Sequence, residues 1–303
     1  MSGQRIAVTG ATGLLGGAVT ASLRADGHTV HKVTRDPAKA DDGDIVWDPD
    51  AGRIDAAAFE GLDAVIHFAS EHIGDERWSS DKKRRILESR EQGTRLLATT
   101  LAGLDQPPRV FLSGSAAGYY GDRGDEVLTE DSGPGDDFMA RVCVAWERAT
   151  EPAETAGIRV VRARTGVVIA RGGPLIDKVE LPFKLGVGGR VGSGRQYVPW
   201  ISIDDYVRAV RFVLDHQSLA GPVNLTSPDP ATNAELTKAI GDALRRPTIF
   251  PIPLVAMRLV YGEMGEALAA VSQRVIPRRL QEAGFTFEHT LLAALRIAFD
   301  KQT

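Results

Sequence analysis

The 303-residue sequence predicts an α/β protein: a doubly wound parallel sheet with a smaller C-terminal α/β portion. Two patterns point there. Over the first two-thirds, short apolar runs alternate with helical patterns, as βαβ units require. A glycine-rich turn follows the first apolar run and opens the first helix. Composition fits too, because 43% apolar and 25% charged residues are ordinary for a globular chain able to bury a large core.

Arg5 to Thr9 reads as the first strand, and Leu14 to Asp26 as an amphipathic helix ending before Gly27. His28 to Thr34 is the second strand. Ala64 to Ala69 and Arg109 to Ser113 are further buried strands, separated by a helical stretch from about Ser79 to Leu104. Asp137 to Ala156 places Phe138, Val142, Ala145 and Ala149 near one helix face, and Arg159 to Ile169 returns as a strand. Beyond that the pattern loosens. Gly186 to Gly194 is glycine-rich, Asp204 or Asp205 caps a helix running to about His216, and Asn233 to Leu244 is another helix. Pro251 to Phe285 reads as a small helical unit. Residues 1–170 form the nucleotide-binding part, with strands continuing to about 225. Residues 171–303 form the substrate side, including a helical unit at about 250–300. No long linker separates them, so they are expected to pack directly.

The net charge of −4 gives no basic field for nucleic acid or an anionic membrane. The local basic run Asp81 to Arg85 reads as a solvated helix face. One cysteine, Cys143, excludes an intrachain disulfide framework and reads as a small buried residue. The six histidines lack metal-ligand spacing, so no metal is implied. No signal peptide or apolar run of bilayer length is seen, which makes cytoplasmic the expected location. The expected state is monomer or homodimer.

The turn Thr9-Gly10-Ala11-Thr12-Gly13-Leu14-Leu15-Gly16 lies between strand and helix, the Rossmann arrangement for a dinucleotide. Gly10 permits the tight turn, Gly13 the close approach of a pyrophosphate, and Gly16 the packing of helix on sheet. The helix N-terminus adds positive partial charge. The second strand ends Val33-Thr34-Arg35. A guanidinium there suits the 2′-phosphate of NADP(H), with the Thr34 hydroxyl beside it. Asp36 is the rival that would favour NAD(H), and its simpler reading is a turn residue before Pro37. NADP(H) is favoured.

Beyond the glycine turn, Glu76-Arg77-Trp78, Ser89-Arg90, Ser113 to Asp122, Cys143 to Glu147, Arg164-Thr165-Gly166, Gly192 to Asp205 and Pro277 to Phe287 form a distinctive set. With these motifs the chain resembles an extended short-chain dehydrogenase/reductase. It is most similar to the NAD(P)-dependent epimerase-family branch with a small C-terminal domain of unknown function. The resemblance implies that Ala69, Ser70 and Glu71 border the cofactor's riboses, and that Arg90 reaches the cofactor or makes a surface ion pair. Such enzymes rely on Tyr-x-x-x-Lys on one helix, the Lys lowering the Tyr pKa. Here those positions fall on Met139 and Cys143, with Glu147 following, and the helix holds neither Tyr nor Lys. The candidate replacement hydroxyls are Ser115, then Tyr120 and Tyr119. His67 reads as a packed core histidine, and Trp78 and Trp200 as a pocket wall or a junction filler. Sugar-nucleotide epimerases carry a diphosphate-binding Arg where this chain has Val198, with Arg190 and Arg195 as nearby substitutes. The expected activity is hydride transfer between NADP(H) and a small carbonyl or alcohol without the usual dyad. The rivals are an NADP(H)-binding sensor of weak activity and a dimerisation scaffold.

Overall fold

A computed structural model describes residues 3–300. The chain begins β1 (Arg5–Thr9), α1 (Leu14–Ala25), β2 (Thr29–Thr34), β3 (Ile45–Asp48), β4 (Arg53–Ile54), β5 (Ala64–His67), α2 (Ser80–Ala102) and β6 (Val110–Ala116). It continues β7 (Val127–Leu128), α3 (Phe138–Arg148), α4 (Glu151–Thr155), β8 (Arg159–Thr165), β9 (Val167–Ile169), α5 (Pro174–Lys184), β10 (Tyr197–Val198), β11 (Trp200–Ser202), α6 (Ile203–Asp215) and β12 (Gly221–Leu225). The last elements are β13 (Ala231–Thr232), α7 (Asn233–Leu244), α8 (Leu254–Tyr261), α9 (Glu263–Ala269), β14 (Arg274–Val275), α10 (Arg278–Glu282) and α11 (Leu291–Phe299).

Eight strands form one sheet in the order β12-β8-β6-β5-β1-β2-β3-β4. All neighbours are parallel except β3 and β4. The chain leaves β1 toward β2 on one side and resumes at β5 on the other, so the order reverses at β1. Crevices at such a switch point, outside the strands' carboxyl ends, are where α/β proteins bind ligands. The fold is the doubly wound Rossmann class that the sequence predicts.

Residue alternation in β1 builds both faces. Ile6 and Val8 join Val19 and Leu23 of α1 and Tyr206, Ala209 and Val213 of α6. Ala7 joins Leu97 and Leu101 of α2 and Ala153 of α4 on the other face. A third apolar cluster, with Phe183, Trp200, Leu236 and Leu295, ties α5, α7 and α11 together. Trp200 therefore fills this cluster, with its Nε1 donating to the Asp229 carbonyl at 3.0 Å.

Several boundaries differ from the sequence reading. The strand expected to reach Ala69 stops at His67. The single helix expected over Asp137 to Ala156 is two, α3 and α4, the second carrying Pro152 in its first turn, where a missing N–H is tolerated. Arg159 to Ile169 breaks at Gly166 into β8 and β9. The cap of α6 is Ser202, whose hydroxyl accepts the Asp205 amide at 3.1 Å, and neither Asp204 nor Asp205. Asp205 instead accepts the amides of Glu288 and His289 and pairs with Arg208 at 2.7 Å. The tail read as helical also contains β14, which pairs with β7. No helix among the described residues is long and apolar enough to cross a membrane.

Candidate functional site

At the switch point, Gly10 has φ +67°, and a Cβ there would lie 2.9 Å from the Ala69 amide nitrogen. The turn thus presses onto the segment leaving β5. A side chain at Gly16 would run into the Gly10 carbonyl oxygen, which accepts the Gly13 amide at 3.0 Å. Gly13 is the N-cap of α1 and brings no side-chain cap. Thr12 and Gly13 are exposed, and Leu14 and Leu15 are half-buried in the first turn. The uncapped first-turn amides are the donors that an anionic ligand would satisfy. Behind the turn, the Thr9 hydroxyl accepts the amides of Phe68 and Ala69 at 3.1 Å each and meets His67 Nδ1 at 2.7 Å. His67 Nε2 meets the Thr94 hydroxyl at 3.0 Å. His67 is fully enclosed, and burial pushes its pKa down to about 3, so it is a neutral packed histidine.

At the end of β2 the two competing charges separate. The Asp36 carboxylate accepts the Ala38 amide at 3.0 Å as cap of the 3-10 turn Pro37–Lys39, and lies 3.3 Å from Lys39. The Thr34 hydroxyl accepts the Asp36 amide at 3.2 Å. Arg35 is exposed and has no salt-bridge partner among the described residues. Its guanidinium is therefore open to a ligand, whereas Asp36 is occupied by the turn.

The segment after β5 places Ala69 half-buried and Ser70 exposed beside the glycine turn. The Glu71 carboxylate meets Lys82 at 2.7 Å and Arg85 at 3.3 Å, and the Lys82 contact foremost holds it below the usual range. Lys82 lies in the run read as a solvated face, yet its side chain is 0% exposed. Asp75 at 2.6 Å and Glu76 at 3.5 Å complete its shell. Three carboxylates from the preceding loop fold over this lysine. Trp78 packs edge-on to Phe138 of α3, with ring centres 5.1 Å apart. Arg90 makes no ion pair among the described residues; it is buried at 4% exposure and donates Nη1 to the carbonyls of Glu71 and Ile86.

The three candidate hydroxyls separate just as clearly. Ser115, buried in β6, donates to Glu147 at 2.7 Å. Glu147 binds Arg164 of β8 through two contacts of 2.8 Å. Arg164 Nη1 donates to the Tyr120 hydroxyl at 3.1 Å, and that hydroxyl donates to Asn224 of β12 at 2.6 Å. Tyr120 is fully buried, and burial pushes its phenol up to about 12. The hydroxyl of Tyr120, expected to face a nicotinamide, is thus bonded to Arg164 and Asn224 inside the protein. Burial opposes the Arg164 charge, yet the Glu147 carboxylate holds its pKa above the ordinary guanidinium value. Tyr119 is half-buried, with its ring 3.4 Å from the Arg164 guanidinium carbon. On α3, Met139 is half-buried. Cys143 is buried, and desolvation pushes its thiol up to about 12, which leaves it inert at neutral pH.

Comparisons with known proteins agree on family and fold. The model of the NAD dependent epimerase/dehydratase family covers residues 6–225, and that of a domain of unknown function, DUF1731, covers residues 252–296. The chain belongs to the NAD-dependent epimerase/dehydratase family. An epimerase family protein of Mycobacterium bovis is 42% identical over 292 residues, 96% of each chain. The crystal structure of the human epimerase family protein SDR39U1, isoform 2, with NADPH has a TM-score of 0.88 at 35% identity, covering 97% of this chain and 99% of that one. The crystal structure of a nucleoside-diphosphate sugar epimerase from Corynebacterium glutamicum has a TM-score of 0.78, also at 35% identity, covering 99% of this chain and 59% of that one.

The sequence reading gave no individual role to Lys82, Arg164 or Asn224. Glu147 and Arg164 stood in motif segments, but their pairing spans 17 residues and two elements, which no local pattern reports. Val198 is half-buried in β10. Nearby, Arg190 donates to the Ser193 carbonyl at 2.7 Å, and Arg195 is exposed.

Proposed function

We propose that the chain is an NADP(H)-dependent oxidoreductase acting on a small carbonyl or alcohol, without the Tyr-x-x-x-Lys dyad of its superfamily. The observation that carries the cofactor half is the end of β2: Arg35 is exposed and unpaired among the described residues, while the neighbouring Asp36 caps a turn. The related human protein seen with NADPH supports the same choice. In this reading residues 1–170 hold the dinucleotide and residues 171–303 form the substrate side. The glycine turn binds the diphosphate through the α1 amides, and Arg35 with Thr34 takes the 2′-phosphate. Ala69 and Ser70 border the riboses. The dinucleotide, when held there, would supply a hydride for a carbonyl carbon, and the carbonyl oxygen would need a proton from the protein. Tyr119 is the hydroxyl we assign to that proton, because Ser115 and Tyr120 are held in the Glu147–Arg164 network.

A second reading, an NADP(H)-binding protein of weak activity whose redox state is sensed, is favoured by that same burial of Tyr120 and Cys143. NADPH oxidation with a carbonyl panel separates the two. Under the first reading, turnover is measurable and falls about 10²-fold or more in Tyr119→Phe, the range for a lost general acid. Unchanged turnover in that variant removes Tyr119, and no turnover with any carbonyl favours the sensor.

A further inference from the structure

Two buried N–H donors have no acceptor among the described residues: Arg90 Nε and Trp146 Nε1 of α3. The Arg90 guanidinium carbon lies 5.0 Å from the centre of the Trp146 ring. Arg90 Nη1 is spent on the carbonyls of Glu71 at 3.1 Å and Ile86 at 3.0 Å. Among the described residues no carboxylate pairs with this guanidinium, since that of Glu71 is held by Lys82 and Arg85. Burial pushes the Arg90 pKa down to about 10, which leaves it cationic at neutral pH.

The location gives the pair its meaning. Glu71 follows β5, and the Trp146 ring sits where β6 has Gly114, at which a Cβ would lie 2.7 Å from the ring. Arg90 is therefore tied to the segment leaving β5 and Trp146 lies against the carboxyl half of β6, on the side of the sheet where α/β ligands bind. A buried charge without a counter-charge and a buried donor without an acceptor are both costly. Such groups seldom persist with nothing to satisfy them. A water molecule satisfies a donor but leaves the charge uncompensated; an anionic oxygen answers both. The diphosphate of a dinucleotide already has the α1 amides.

We infer that Arg90 and Trp146 form an anion-recognition point of this site, and that the substrate reacting with NADP(H) carries a carboxylate that binds there. The inference rests on the NADP(H) reading above and adds a substrate class to it: small oxo or hydroxy acids.

The test follows the Trp146 indole and Arg90 Nε–H signals of ¹⁵N-labelled wild-type protein, assigned with Trp146→Phe and Arg90→Lys. NADPH is added first, then pyruvate, malonate or benzoate, with methyl pyruvate as the neutral control. Both signals are expected to shift with a carboxylate on the NADPH complex and to stay in place with the ester. In Arg90→Met, carboxylate affinity should fall at least ~10-fold while NADPH affinity changes less than ~2-fold, and Arg90→Lys should recover part of the loss. Signals that move with NADPH alone would assign the anionic oxygen to the dinucleotide and overturn the carboxylate. Signals that never move would leave ordered water as the partner and overturn the site. Absence of NADPH binding altogether is scored separately, because it sinks the cofactor reading itself.

Discussion

Replacing Glu147 by Gln keeps the shape of the centre joining Ser115, Glu147 and Arg164 and removes its negative charge. The side chains of Arg164 and Glu147 are only 4% and 10% exposed. Their two contacts of 2.8 Å form a bidentate pair, the geometry that suits a guanidinium best. Removing one partner strands the other charge in the interior, at a cost of about 3–5 kcal/mol. For a chain of this size the melting temperature moves by roughly 2 °C per kcal/mol, so Glu147→Gln is expected to lower it by about 6–10 °C. The double variant Glu147→Gln, Arg164→Met removes both charges and, set against its two single variants, should regain much of the loss, giving a coupling energy of about 2 kcal/mol or more in the cycle. Thermal unfolding followed by circular dichroism reads all four proteins. A fall of under ~2 °C in the single variant, or additive losses in the double, would refute the view that this pair holds β6, α3 and β8 together.

Two further outcomes follow from the same geometry. His67 binds its proton only near pH 3 in the fold but near 6.5 when unfolded, so its stabilising contribution is complete above pH 6.5 and is lost as pH falls toward 3. His67→Gln should flatten the acid side of a denaturant-derived stability profile, where this group contributes a slope of up to ~1.4 kcal/mol per pH unit; identical profiles would contradict it. Gly16→Ala drives a methyl into the Gly10 carbonyl. Overpacking of about 1–3 kcal/mol should weaken NADPH by roughly 5- to 150-fold in calorimetric titration, and unchanged affinity would show that the turn yields freely.

The sequence made the frame readable where local chemistry decides it. β1 and α7 match their expected residues, the first from a continuous apolar run and the second from a helical pattern whose cap proves to be a full Thr232–Glu235 capping box. The glycine turn was legible because strand, glycines and helix are adjacent in the chain. What stayed hidden was set by contacts between distant elements. Lys82 looks solvated in its own helix, and only the folding back of the 71–76 loop buries it. Tyr120 looks like a loop hydroxyl until β8 and β12 bring Arg164 and Asn224 to its oxygen, 44 and 104 residues away in sequence. The choice between Ser202 and the two aspartates as cap of α6 likewise depends on the chain at Glu288 and His289 returning to claim Asp205.

The most direct measurement is calorimetric titration of the purified protein and its Arg35→Ala variant with NADPH and with NADH. Wild type should prefer NADPH, and the variant should lose at least ~10-fold of that affinity, the share of one charge-assisted contact, while NADH changes by less than ~3-fold. Equal affinity of wild type for both coenzymes, or equal losses in the variant, would contradict a 2′-phosphate held at the end of β2.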